Sequence, residues 1–185
     1  MSQVGRAMWI IDRISELTRA YRLGMRFRGV AMEPQVIIKT PSRLHCGKEA
    51  VVQRGAILHC GGRAWSNGQG HIIIGNGVVI GPYCILYGAG GITLGDYVHL
   101  GPGVQLMSQA GEHSPSRLSA RPDYRLAPIL IGSGSWIGAG AVILGGATLG
   151  ACVTVAPNSV VSGIVPDFAV VVGNPGRVAL INQSI

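Results

Sequence analysis

IGSGSW IGAGAV ILGGAT LGACVT VAPNSV VSGIVP, running from Ile131 to Pro166, decides the fold. An aliphatic residue returns every six positions, at Ile131, Ile137, Ile143, Leu149, Val155 and Val161. Ser135, Ala141, Ala147, Val153 and Ser159 stand four places after the first five of them. Fixed-period self-similarity is the signature of a repeat architecture. An even period suits a strand and fits a 3.6-residue helix badly. Positions i+4 and i+6 then share one face, which is aliphatic or small and must turn to a core. The Gly-rich positions just after each aliphatic residue read as corners, where a missing Cβ relieves the turn. Short strands joined by tight corners make a coil, and stacked coils make a parallel β-helix. Each buried aliphatic side chain contributes about 1.5–3 kcal/mol, so several coils supply a core without a long helix.

The opposite face carries a second message. Outward i+5 positions include Val79, Ile85, Trp136, Val142 and Val160. Apolar residues outside a coil imply a partner surface, so copies of the chain are expected to pack side by side.

Working outward, a looser set of hexads begins at Val36. Cys46, Val52 and Leu58 keep step, then Ile74, Ile80 and Leu86, then Leu94, Leu100 and Leu106. The phase breaks between these groups mark insertions at corners, over Cys60–Gly70, near Gly88–Gly90 and after Leu106. The last is the longest, MSQAGEHSPSRLSARPDYRLAP over 107–128, and carries Glu112, His113, Asp123 and Tyr124. Loops longer than about a dozen residues that interrupt a regular core are usually functional. The expected organisation is therefore an N-terminal helical appendage (1–35), a β-helix (36–166) with an inserted loop (107–128), and a C-terminal tail (167–185). The expected fold class is mainly β.

Composition sets further bounds. Glycine numbers 29 and aromatics make up 5% of the 185 residues, which suits narrow coils. The net charge is +7, and residues 1–28 hold six Arg against Asp12 and Glu16. Met8, Ile11, Ile14, Leu17 and Tyr21 recur at three- and four-residue steps, so 3–27 reads as a helix. Its arginines suit packing on the coil or a neighbouring subunit, or adhesion to an anionic membrane or lipid-linked glycan. No nucleic-acid partner is expected, since no base-reading module is present. The four cysteines show no C-x-x-C spacing; Cys84 and Cys152 read as small core residues, and neither a disulfide nor a metal site is expected. No apolar run reaches the ~18–20 residues of a membrane span, and Met8–Ile11 is too short for a signal peptide. The expected location is the cytoplasm, with the inner face of the membrane as its extension.

The hexads of 131–161, Trp136-Ile137-Gly138, the histidine-bearing loop before them and Gly173-Asn174-Pro175-Gly176-Arg177-Val178 together resemble the hexapeptide-repeat acyltransferases, in their sugar, polysaccharide and xenobiotic O-acetyltransferase branch. The resemblance covers roughly 36–182. It implies a left-handed parallel β-helix, an exception to right-handed crossovers. It also implies a homotrimer, acetyl-CoA in the cleft between neighbouring coils, and His113 as base. By the same likeness Trp136 walls the acyl-CoA cleft. Gly138, Ala139, Ala156 and Pro157 present backbone along the pantetheine arm, and Arg177 approaches the nucleotide phosphates. Members of the family often place a Lys after the last hexads; this chain has Ser162-Gly163-Ile164 there.

The chemistry agrees on its own terms. Moving an acetyl group from a thioester to a hydroxyl needs a base for the hydroxyl proton, and a neutral imidazole suits neutral pH. A backbone N–H at a corner can serve the oxyanion. Glu112 and Asp123 are alternatives for orienting the imidazole. Of the other histidines, His99 and His71 read as surface residues with an interface or acceptor role open to them, and His45 and His59 as structural or surface. The favoured function is O-acetylation of a sugar or glycan. N-acetylation of a nucleotide-linked amino sugar would use the same base. An inactive scaffold is the alternative of another class. A metal-dependent carbonic anhydrase built on this coil would need a histidine pair about five apart, and His113 has no such neighbour.

Overall fold

The structure is a computed structural model describing residues 27–62, 66, 68–112 and 123–182. The helix expected over 3–27 lies, up to residue 26, outside them. From Ala31 onward the chain winds in coils of three short strands. Coil 1 is β1 (Ala31–Met32), β2 (Ile37–Lys39) and β3 (Leu44–Cys46). Coil 2 is β4 (Val51–Val52), β5 (Ile57–His59) and β6 (Ile72–Ile74). Coil 3 is β7 (Val79–Ile80), β8 (Ile85–Tyr87) and β9 (Ile92–Leu94). Coil 4 runs through β10 (His99–Leu100) and β11 (Gln105–Met107). It leaves the prism in a hairpin, β12 (Gln109–Glu112) and β13 (Asp123–Leu126), and returns as β14 (Ile129–Ile131). Coil 5 is β15 (Trp136–Ile137), β16 (Val142–Leu144) and β17 (Thr148–Leu149). Coil 6 is β18 (Thr154–Val155), β19 (Val160–Val161) and β20 (Ile164–Val165). Then β21 (Ala169–Val172) starts another turn and β22 (Arg177–Ile181) folds back on it.

First, second and third strands stack into three parallel sheets, here A, B and C, with β22 added antiparallel to the end of A. The core is the column of inward residues. Ile137, Ile143, Leu149, Val155 and Val161 are all buried, as the hexads require. Ser135 and Ser159 are buried at i+4 with their hydroxyls in use. Ser135 Oγ donates to the Gly150 carbonyl and accepts from the Val153 N–H, each at 3.1 Å, and Ser159 Oγ accepts from the Gly173 N–H at 3.0 Å. A buried hydroxyl left unpaired would be costly.

Three local expectations are corrected by the coordinates. Where a glycine follows the inward aliphatic residue, it is the stacking of coils rather than the turn that excludes a Cβ. A Cβ on Gly138 would sit 2.6 Å from the Pro157 nitrogen, and one on Gly47 would sit 2.6 Å from the Asn76 nitrogen of the next coil. The left-handed position falls two residues later, as at Gly77 (φ +62°), Tyr83 (φ +58°), Tyr97 (φ +58°) and Asn158 (φ +58°). Cys152 is such a residue (φ +54°), so it is exposed and lies over Gly134, whereas Val153 fills the core place beside it. The sixth hexad also runs short: Val165, four residues after Val161, pairs with Leu149 and is buried.

Parallel pairing spans Ala31 to Val171, past Pro166. The turn after β21 then covers the end of sheet B, with the Val160 N–H on the Gly173 carbonyl (3.0 Å) and the Gly176 N–H on the Val160 carbonyl (2.7 Å).

Candidate active site

The three corners of the prism differ. Core residues on either side of the A-to-B corner are always six apart, from Met32–Ile38 to Val155–Val161. The C-to-A corner is equally constant, from Cys46–Val52 to Val165–Val171. The B-to-C corner takes all the variation. Its steps run Ile38–Cys46, Leu58–Ile74, Leu86–Leu94, Leu106–Ile131, Ile143–Leu149 and Val161–Val165, or 8, 16, 8, 25, 6 and 4 residues. The three insertions read from the sequence therefore stack on one edge.

The largest is rooted firmly. Ser108, fully buried, donates its hydroxyl to the Tyr87 carbonyl at 2.6 Å and accepts the Gly90 N–H at 2.9 Å; the Ala127 N–H closes the neck on the Ser108 carbonyl at 3.0 Å. From this neck the hairpin projects with Gln109 opposite Leu126, Ala110 opposite Arg125, Gly111 opposite Tyr124 and Glu112 opposite Asp123. The loop of 107–128 thus has strand structure of its own at its base. Both carboxylate-bearing positions stand on the last described rung. His113 follows that rung and lies outside the described residues, as does the rest of 113–122.

The residues expected to meet acetyl-CoA gather elsewhere. Gly138, Ala139, Ala156 and Pro157 stack at the A-to-B corner of coils 5 and 6. Arg177 pairs with Val172, in the strand beneath Ala156. Gly138 is buried and Ala139 exposed. The second corner position reads Pro34, Arg54, Pro82, Pro102, Ala139 and Pro157 down this edge. Proline has no N–H to give, and the Arg54 N–H is held by Glu33 Oε2 at 3.0 Å. Ala139 keeps an N–H that no carbonyl or side chain among the described residues accepts. Trp136 lies two residues before Gly138 on the outer face of sheet A, 64% exposed, in register with His99 on one side and Thr154 on the other. Among the other outward apolar residues, Val79 shares sheet A with Trp136, whereas Ile85, Val142 and Val160 lie on sheet B. Arg177 is exposed and its Nη1 donates to the Gly176 carbonyl at 3.1 Å. One chain therefore brings the cofactor-facing candidates together on one edge and hangs the hairpin from another, a sheet's width away.

A further set sits beside the hairpin edge. Lys39, His59, Tyr87 and Met107 each follow an inward residue by one place, and the register stacks them in a column on the outside of sheet B. The His59 and Tyr87 rings meet edge to face at 5.5 Å and 88°. Burial, then the charge of Lys39, holds the His59 imidazole below its usual range, so it is neutral at pH 7. The sequence reads His59 as structural or surface; the signal for its place in the column is the recurring Ile38-Lys39, Leu58-His59, Leu86-Tyr87 pairing. Burial pushes the thiols of Cys46 up to about 11, Cys60 to about 12 and Cys84 to about 11. Among the described residues no group of three His, Cys, Asp or Glu could hold a metal ion, and no helix is long and apolar enough to cross a membrane.

Residues 128–163 match the family described as bacterial transferase hexapeptide (six repeats). That stretch is a run of hexapeptide repeats. Nodulation protein L of Rhizobium leguminosarum bv. viciae is 36% identical over 108 residues, covering 58% of the chain. The hexapeptide-repeat chain in turn spans 56% of that relative's length. AntD, an N-acyltransferase from Bacillus cereus in complex with dTDP and 3-hydroxybutyryl-CoA, superimposes with a TM-score of 0.73 at 20% identity, covering 84% of this chain and 81% of its own. A hexapeptide-repeat-containing acetyltransferase from Vibrio cholerae O1 biovar eltor, complexed with acetyl coenzyme A, gives 0.54 at 26% identity, covering 89% and 76%. The hexapeptide-repeat prism is thus the left-handed parallel β-helix.

Proposed function

We propose that the hexapeptide-repeat chain is an acetyl-CoA-dependent acetyltransferase that modifies a hydroxyl of a sugar or glycan, works in the cytoplasm as a homotrimer, and uses His113 as general base. The observation that carries this reading is the hairpin. A regular prism is interrupted at greatest length, on a clamped neck, by an arm whose last described rung carries Glu112 and Asp123 next to His113. Bound acetyl-CoA would supply the activated acyl carbon and a good leaving group. The residues present fit it: the unspent Ala139 N–H lies among small side chains, suited to an amide of the pantetheine arm, with Gly138, Ala156 and Pro157 giving close access to backbone. Trp136 walls the same edge, and Arg177 offers charge beneath it for phosphates.

His113 takes the proton from the acceptor hydroxyl as its oxygen forms the new ester bond, and returns it to the departing thiolate as the thioester bond breaks. Glu112 or Asp123 fixes the tautomer of the imidazole. The separation of the two edges supports an assembly, a trimer in this reading, in which the hairpin of one copy is completed by the amide edge of the next. The Arg-rich N-terminal segment is suited to a lipid-linked acceptor or a membrane surface. An amine on a nucleotide-linked sugar would be served by the same base. Thiol release from acetyl-CoA with a panel of sugar hydroxyls and amines separates those acceptors, and silence with all of them would favour a scaffold. His113→Ala is expected to lower turnover by ~10²–10⁴ with unchanged thermal unfolding. Near-normal turnover in that variant removes His113 from the mechanism.

A further inference from the structure

The excess charge of the chain is uneven beyond the N-terminal segment. Residues 34–95 hold Lys39, Arg43, Lys48, Arg54 and Arg63 against a single carboxylate, Glu49, and add His45, His59 and His71. From Asp96 to the end, four arginines meet four carboxylates. Within the basic half, Glu49 is turned away, on the C-to-A corner, as is Lys48. The B-to-C edge of coils 1 and 2 presents Lys39, Arg43 and His59. Arg43 spends one Nη1 donor on the Gly70 carbonyl at 3.1 Å, and Thr40 Oγ1 ties the same turn to the Gly61 carbonyl at 2.7 Å, so the guanidinium is held with donors to spare. Lys39 is exposed and has no carboxylate partner among the described residues.

We infer that Lys39, Arg43 and His59 form an anion site that holds the phosphate of a diphosphate-linked sugar acceptor. The column gives it direction. From Lys39 through His59 and Tyr87 to Met107 is three strand spacings, about 14 Å, and Met107 leads through Ser108 into the hairpin. A phosphate seated at Lys39 and His59 would therefore leave its sugar lying over Tyr87, toward the hairpin that carries His113. The expected acetyl-CoA edge is at the A-to-B corner of coils 5 and 6, so its phosphates do not compete for this place. A lysine and an arginine with unspent donors suit an oxyanion, and an anion that offsets the charge of Lys39 removes the lesser of the two causes that keep His59 neutral, which favours its protonated, donating form.

The acetyl-transfer reading supplies only the word acceptor here, and the test is read without turnover. Inorganic pyrophosphate is titrated into the full chain while the His59 ring is followed by NMR. Its pKa is expected to rise, with binding weakened roughly tenfold or more in Lys39→Gln and restored in Lys39→Arg. UDP and farnesyl diphosphate are then used as competitors: displacement by the first points to a nucleotide-linked source, by the second to an isoprenoid-linked one. A His59 ring indifferent to pyrophosphate, equal binding by Lys39→Gln, displacement by coenzyme A, or displacement by neither diphosphate would each overturn the proposal. An inactive protein that passes this test loses the enzyme reading and keeps the site, and an active one that fails it does the reverse.

Discussion

Two corners of the prism repeat without variation over six coils, and the third never settles to one length. The difference shows where each kind of information resides. At the constant corners a coil is fixed by its neighbours on either side. Asn76 accepts the Lys48 N–H at 2.9 Å, Asp96 Oδ1 accepts the Asn76 N–H at 2.6 Å, and Ser133 Oγ accepts the Asp96 N–H at 3.1 Å. An extra residue there would break a ladder running through several coils. At the B-to-C edge an insertion has only to leave and return, and the backbone bonds of Ser108 and Ala127 suffice to seal it. Repeat folds collect binding loops on one face for this reason.

The sharpest way to break the comparison is to make the third corner like the others. Replacing residues 109–126 by a short two-glycine corner, copied from Gly145-Gly146 of coil 5, is expected to lower turnover by ~10²–10⁴, because the base leaves with the hairpin. The β-sheet signal in circular dichroism should persist. Collapse of the prism would show that the arm is part of the scaffold. The converse strikes the constant part. Ile143→Ala, inside coil 5 with no exposed surface, is expected to cost about 2–5 kcal/mol by urea denaturation. A cost below ~1 kcal/mol would mean that the aliphatic column is not what holds the coils.

The same contrast explains what could be read in advance. The hexads from Ile131 to Val161 each bury the residue that the period assigns, since one inward face at a fixed step is a property of sequence alone. The insertions at Cys60, Gly88 and Met107 were visible as phase breaks, but their stacking on one edge follows from counting which of three corners each interrupts. Cys152 stands one position short of the core place that Val153 fills, and at a period of two that is the difference between core and corner. The sequence marks the glycines but not their reason, because the atoms that exclude a Cβ at Gly138 belong to the next coil, 2.6 Å away at the Pro157 nitrogen. Neither the free N–H of Ala139 nor the partnership of Lys39 and His59 is legible locally. Each emerges only when residues from different coils are laid side by side.

A finer test stays within the constant corners. Ala139→Pro installs at coil 5 what Pro82, Pro102 and Pro157 already place at three others, so the backbone there accommodates it. Folding stability is expected to hold or to rise by about 0.4–1 kcal/mol through the unfolded chain. The KM for acetyl-CoA should nevertheless increase about 3- to 10-fold, the worth of one hydrogen bond. An unchanged KM would show that the Ala139 amide meets only water.

The smallest effect returns to the variable edge and is read from pH. His59 titrates lower in the folded chain than in the unfolded one, through burial first and Lys39 second. Well above pH 6.5 the ring is neutral in both states and contributes no pH dependence. As pH falls below 6.5 the unfolded chain takes up a proton that the native ring resists, so stability declines until the folded value is also passed. His59→Gln should remove that decline. Lys39→Gln should make it shallower, because one of the two causes is gone while burial beside Tyr87 remains. The measurement is urea denaturation of the three proteins at pH 7.5 and pH 5.5. If the gap between wild type and His59→Gln is the same at both values, the ring is not held neutral by its place in the column, and the electrostatic link between coils 1 and 2 falls with it.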